Sequence, residues 1–120
     1  MNIYDGKIHY FRGLNFYYSK KAYRISLYVR EIVGKKRKTT RVDMFKEQNH
    51  GRPHIHVDDH DASFAIDDGS LLCGECDNQT TKAVQGWIEK NRDTLNELWK
   101  ALQKGENPLV YEEIMDRLED

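Results

Sequence analysis
The sequence predicts an α+β fold: an antiparallel sheet of short strands and hairpins over residues 1–76, with helices at about 79–103 and 109–118 packed on one face. Three observations predict it. Up to residue 76 the apolar residues recur every second position, as on a strand with one buried face. After residue 80 they recur at the 3.6-residue spacing of a helix. The strand-like part comes first and the helical part last, with no βαβ alternation between them.

The elements follow in order. Asp5-Gly6, between Ile3-Tyr4 and Lys7-Ile8-His9-Tyr10, has the form of a tight hairpin turn. Leu14, Phe16 and Tyr18 alternate. Tyr23, Ile25, Leu27 and Val29 alternate more strictly, with Arg24, Ser26, Tyr28 and Arg30 between them. The pattern stops at Gly34-Lys35-Lys36-Arg37-Lys38 and resumes with Thr40, Val42 and Met44, so residues 22–45 read as one long hairpin with a basic tip. A loop at Asn49-His50-Gly51-Arg52-Pro53 leads to short strands at 54–57, 62–66 and 70–75, the last two joined by an Asp67-Asp68-Gly69 turn. Val84, Trp87, Ile88, Leu95, Leu98, Trp99 and Leu102 form one helical face. Asn78 or Thr80 is the expected cap, Gly105 the expected stop, and Asn91-Arg92-Asp93 a place where the helix bends. Asn107-Pro108 ends that segment, and a final acidic helix follows whose stripe is Val110, Tyr111, Ile114, Met115 and Leu118. Such a short helix does not persist alone in water and must dock by that stripe.

The 120 residues suit a single domain, 1–120. Leu, Ile, Val and Phe total 27, which makes a thin core that leans on 7 Tyr and 2 Trp. No apolar stretch reaches the ~18 residues of a membrane helix, and the first residues do not resemble a signal peptide, so the expected compartment is the cytoplasm, with Cys73 and Cys76 reduced. The net charge of −1 conceals a division. Residues 1–41 carry eleven Lys and Arg against two acids, whereas residues 42–120 carry eight against eighteen. An anionic partner for the first part, or mutual attraction of the two parts within a monomer or a homodimer, both follow from it.

Two clusters carry candidate chemistry. Four of the five histidines lie between residues 50 and 60. On a strand His54 and His56 project from one face and can share a divalent metal, zinc or manganese, with His50 and His60 as further ligands. The ordinary alternative is that they pack on aromatic rings and bond to backbone. Cys73-Gly74-Glu75-Cys76 matches C-x-x-C, but two positions three apart on a strand face opposite ways, which favours two small half-buried thiols over a zinc site. The second cluster is Lys35, Lys36, Arg37, Lys38 and Arg41, with Arg52 nearby, a cationic set suited to phosphates or an acidic partner. A solvated turn that protects sheet edges is its ordinary alternative.

His54-Ile55-His56 resembles the His-hydrophobic-His strand of rolling-circle and transposase-type single-strand nucleases, which implies a metal at the histidines and a helical tyrosine, here Tyr111, as nucleophile. The histidine-triad hydrolases are less similar, because Asp58 stands where their third His would fall. A longer resemblance covers residues 44–106, through His50-Gly51-Arg52-Pro53-His54-Ile55-His56-Val57, Ala62-Ser63-Phe64-Ala65-Ile66-Asp67-Asp68-Gly69, Leu72-Cys73-Gly74-Glu75, Trp87-Ile88-Glu89, Arg92-Asp93-Thr94-Leu95 and Trp99. In order and spacing this resembles the small bacterial domain of unknown function 4160. Gly51, Arg52, Cys73 and Cys76 depart from that family's pattern. The resemblance implies a companion of toxin–antitoxin, defence or mobile-element genes, and a binding or regulatory role more than a metabolic reaction. The expected function is therefore a cytoplasmic, non-enzymatic accessory protein binding a protein partner or nucleic acid. A metal-dependent nuclease with His50, His54 and His56 as ligands is the alternative, and an inhibitor of a nucleic-acid enzyme a third. The sequence holds no Gly-rich phosphate loop and no evident nucleophile–base pair.

Overall fold
The computed structural model describes residues 8–11, 14–19, 24–33, 36–46, 51–57 and 62–119. The Asp5-Gly6 turn, His50, His60 and Lys35 lie outside the described residues. Seven strands follow one another in the chain: β1 (Ile8–Phe11), β2 (Leu14–Ser19), β3 (Arg24–Val33), β4 (Lys36–Phe45), β5 (His54–Val57), β6 (Ala62–Ala65) and β7 (Leu71–Gly74). They form one antiparallel sheet in that same order, β1 to β7, so every strand pairs with its chain neighbour. Helices α1 (Asn78–Lys104) and α2 (Pro108–Met115) complete the expected α+β arrangement.

Register explains which residues are buried. Ile25 pairs with Met44 and Leu27 with Val42; Val42 pairs with Val57, Val57 with Ala62, and Ile55 with Phe64. Paired residues share a face, so these eight side chains form one apolar surface across four strands. All are at most 1 % exposed and pack with Val84, Ile88, Leu95, Leu98 and Leu102 of α1 and Tyr111, Ile114 and Met115 of α2. The expected helical stripes are therefore the stripes that are buried, including Trp87 and Trp99.

The differences from the sequence reading lie at helix boundaries. The α1 cap is Asp77, one residue before the expected Asn78: its Oδ1 accepts from the Thr80 amide at 2.7 Å and its Oδ2 from the Thr80 hydroxyl at 2.9 Å. Asp is as good a cap as Asn, and here it satisfies two donors of the first turn at once. The helix is not divided at Asn91-Arg92-Asp93 but runs 27 residues without interruption. Asn91 is buried and donates to the Trp87 carbonyl at 3.0 Å, four residues back, so it stays in the helical frame instead of breaking it. Gly105 ends α1 as expected, with φ +69° and the amide of Glu106 returning to the Ala101 carbonyl at 3.1 Å. Asn107 caps α2 and Pro108 takes its first position, so this helix starts one residue early and stops at Met115, three residues short of the expected end.

Helix α1 is tied to the sheet by polar bonds as well as by its apolar face. Gln85 Nε2 donates to the Gly69 carbonyl (2.9 Å), Arg92 Nε to Ile66 (3.0 Å) and Gln103 Nε2 to Phe45 (2.8 Å). Going along α1, these anchors meet the turn before β7, the end of β6 and the end of β4 in turn, so the helix crosses the strand ends on one side of the sheet. That crossing brings Trp99 to the start of β5, where the histidines are.

Candidate functional site
Strand β5 alternates. Ile55 and Val57 are fully buried in the core face, and His54 and His56 are half-buried on the other. The expectation that the two histidines share a face is met: their ring centroids lie 4.9 Å apart at 72°. Each ring has an aromatic neighbour. Trp99 stands 5.2 Å from His54, and Phe45, edge-on, 5.1 Å from His56. His54 Nδ1 lies 2.8 Å from the Arg52 carbonyl oxygen. A carbonyl only accepts, so Nδ1 carries the proton and the neutral ring has its lone pair on Nε2.

The next residues on the same face come from register. Asp43 of β4 pairs with His56, and His56 with Ser63 of β6; Ser63 in turn pairs with Cys73 of β7. Asp43 is 1 % exposed, and Arg41 Nε donates to its Oδ2 at 3.2 Å. Arg41, expected as a cationic contact for a partner, is thus engaged with a carboxylate two residues along its own strand. Sequence reasoning passed over Asp43 and Ser63. Their alternation with Val42, Met44 and Phe64 was visible, but the pairing of strands that sets them beside His56 was not.

Arg52 also has carboxylate partners. Its Nε and Nη2 engage Asp67 at 3.1 and 2.7 Å, and Nη2 reaches Asp68 at 2.9 Å. The loop before β5 is thereby clipped to the turn between β6 and β7, next to a main-chain bond from the Ile66 amide to the Pro53 carbonyl (3.0 Å). Asp68 is fixed from the other side by Ser70, whose amide donates to Oδ1 at 2.8 Å. Bonding to Ser70 first, then the Arg52 charge, lowers its carboxyl pKa to about 2.

Three expectations take definite form. Among the described residues no group of three or more His, Cys, Asp or Glu side chains comes together around one metal position, and His54 and His56 stand there as a pair; His50 and His60 lie outside the described residues. Cys73 is exposed and Cys76 half-buried, neither is in a disulfide, and they form no such group with the histidines. Tyr111 is 1 % exposed within the core between α2 and α1, so its hydroxyl is not presented to a DNA phosphate as a nucleophile must be.

The basic cluster lies on the β3–β4 hairpin. Strand β2 pairs with β3 from Arg24 to Tyr28, and β5 pairs with β4 at Val42 and Asp43. From Val29–Thr40 outward to Val33–Lys36, β3 and β4 pair with each other and, among the described residues, with no other strand. This is a two-stranded ribbon extending about 17 Å beyond the sheet, at ~3.3 Å per residue. Lys36, Arg37 and Lys38 are on it.

The sequence profile of the family described as "Domain of unknown function (DUF4160)" matches residues 40–100. That is half of the chain. The protein belongs to the DUF4160 family. The match starts four residues earlier than the stretch quoted from the sequence and stops six earlier. It takes in the end of β4, the histidine strand, the Arg52 clip and α1 through Trp99, while the ribbon and α2 fall outside it. No curated protein and no solved structure matches the chain. The DUF4160 segment thus contains both histidines and both of their aromatic neighbours. The outer ribbon, apart from Thr40, lies outside the matched residues.

Proposed function
We propose that this DUF4160 protein is a non-enzymatic, cytoplasmic accessory or regulatory protein that binds nucleic acid through the β3–β4 ribbon, within a toxin–antitoxin, defence or mobile-element module. The observation that carries the reading is the ribbon itself. Residues 29–40 hold five Lys or Arg and one acid, on a hairpin whose outer five residue pairs lie beyond every neighbouring described strand. A two-stranded ribbon fits the ~12 Å major groove of B-DNA, and its cations replace counterions on the phosphates. The rest of the chain supports the same direction of approach: residues 42–120 hold ten more acids than bases and would be repelled by a polyanion. The position of the ribbon outside the family match suggests that it sets this protein's own target.

The test is fluorescence anisotropy of a labelled duplex with the full chain, from about 50 to 200 mM salt. Replacing Lys35, Lys36, Arg37 and Lys38 together by Gln should weaken binding at least a hundredfold at the lowest salt. The log–log salt slope should flatten by about three to four, roughly one for each phosphate no longer neutralised. A native protein that binds no duplex at low salt, or a quadruple variant that binds as well as the native one, overturns the reading and leaves a protein partner as the better one.

A further inference from the structure
We propose that His54 and His56 form a two-imidazole site for a late divalent transition metal, zinc or copper, with water completing its coordination. The inference does not rest on nucleic-acid binding.

The separation of the two rings fits a shared ion. With a metal–nitrogen bond of about 2.0–2.1 Å and about 1.1 Å from nitrogen to ring centre, two imidazoles on one ion have centroids about 4.5 Å apart at a right angle and about 5.2 Å apart at the tetrahedral angle. The observed separation is 4.9 Å. The rings are inclined at 72°, so they are not stacked face to face, an arrangement that would turn both nitrogens away from a common point.

The chemistry of His54 points the same way. Metal-bound imidazoles regularly donate their other ring N–H to a carbonyl or carboxylate, which fixes the tautomer and raises the basicity of the ligating nitrogen. His54 does this through Nδ1 to the Arg52 carbonyl, making Nε2 the ligating atom. The carbonyl is itself held in place, because Arg52 is clipped to Asp67 and Asp68. Trp99, 6 % exposed, and Phe45 pack on the two rings and restrict their rotation. The Asp43 carboxylate, cross-strand from His56 and buried, adds negative charge beside the site, partly offset by Arg41. Imidazole ligands without a carboxylate in the set favour copper and zinc and disfavour manganese.

The experiment uses the full chain purified without a histidine tag. Zinc chloride is titrated by calorimetry, and copper(II) chloride by tryptophan fluorescence, since a copper ion beside His54 quenches the adjacent Trp99. One ion per chain is expected, with copper bound more tightly than zinc and manganese most weakly. His54→Gln and His56→Gln should each lower zinc affinity at least tenfold while keeping the native circular dichroism. His56→Gln is the safer variant for folding, because His54 is the ring packed on the buried Trp99. Cys73→Ser with Cys76→Ser should leave affinity unchanged, and Trp99→Phe should abolish most of the copper quenching. No zinc or copper binding by the native protein, full affinity in both histidine variants, or loss of affinity in the cysteine variant overturns the proposal. The duplex experiment above is run in chelator, so failure of either reading is scored separately.

Discussion

At Asp68 a single exposed carboxylate shows how the loop before β5 is held. Its oxygens take the Ser70 amide on one side and Arg52 on the other, and its pKa falls to about 2 from an ordinary value near 3.8. The folded-state pKa is lowered, so the carboxylate's contribution is complete above the unfolded pKa, near 4, and is lost as pH falls through about 2. Between those values the loop stays clipped while ordinary surface carboxylates are already protonating. An NMR titration of the Asp68 carboxyl should show a midpoint near 2. Ser70→Ala should move it upward, and more than Arg52→Ala does, because bonding to Ser70 is the larger cause. A midpoint near 4 in the native protein would show that the clip does not persist in solution. Arg52 was singled out in the sequence for its charge alone. Its role as a clip depends on a turn fifteen residues away, and no local pattern reveals that pairing.

On the level of whole helices and strands, most of the fold was legible, for a physical reason. Every strand pairs with its neighbour in the chain, so alternation and turn residues, both local signals, were enough to place β2 to β7. Leu14, Ile25, Leu27, Val42 and Met44 announced their strands, Asp67-Asp68-Gly69 its turn, and Gly69 takes the left-handed φ of +75° that such a turn needs. The helices were equally legible by period, and Gly105 by its place as the stop of α1, but the start was not, because a cap is decided by one side chain's reach: Asp77 reaches Thr80 where Asn78 or Thr80 was expected to cap. Asn91 is the instructive failure. The run Asn91-Arg92-Asp93 suggested a bend into two pieces, yet the Asn91 amide is the joint between α1 and the tail after α2. Nδ2 donates to the Glu119 carbonyl at 2.8 Å, and Oδ1 accepts from the Glu119 amide at 2.7 Å. The closing partner is 28 residues away. Asn91→Ala removes both bonds and leaves polar groups without partners, which should cost about 1–3 kcal/mol in urea unfolding. That destabilisation should come with faster exchange of the Glu119 amide and little change in the amides of β4 to β6. A variant as stable as the native protein would mean that the tail is held by Tyr111, Ile114, Met115 and Leu118 alone.

For the molecule as a whole, β3 and β4 have an inner part flanked by β2 and β5 and an outer part that, among the described residues, pairs with no other strand. In the inner part Ile25, Leu27, Thr40, Val42, Asp43 and Met44 are buried. Beyond the Val29–Thr40 pair the ribbon has no neighbouring described strand to share its hydrogen bonds, which makes it a candidate for local opening. In native-state hydrogen exchange the amides of Arg30–Val33 and Lys36–Thr39 should therefore exchange far faster than those of Ile25, Leu27, Val42, Met44 and Ile55, by the difference between local and global opening. Shortening the hairpin should also be tolerated: joining Arg30 to Thr39 through an Asn-Gly turn keeps the register of the inner pairs and supplies the residues a two-residue hairpin loop prefers. Such a chain should melt within a few degrees of the native protein and bind zinc at His54 and His56 as before, yet lose its affinity for duplex. A large fall in melting temperature would assign the ribbon to the fold instead. Unchanged duplex binding would move the cationic contact to other residues of the first 41. With both outcomes absent, the inner sheet and α1 form the platform common to the DUF4160 segment, and the ribbon is the part through which this member meets its own partner.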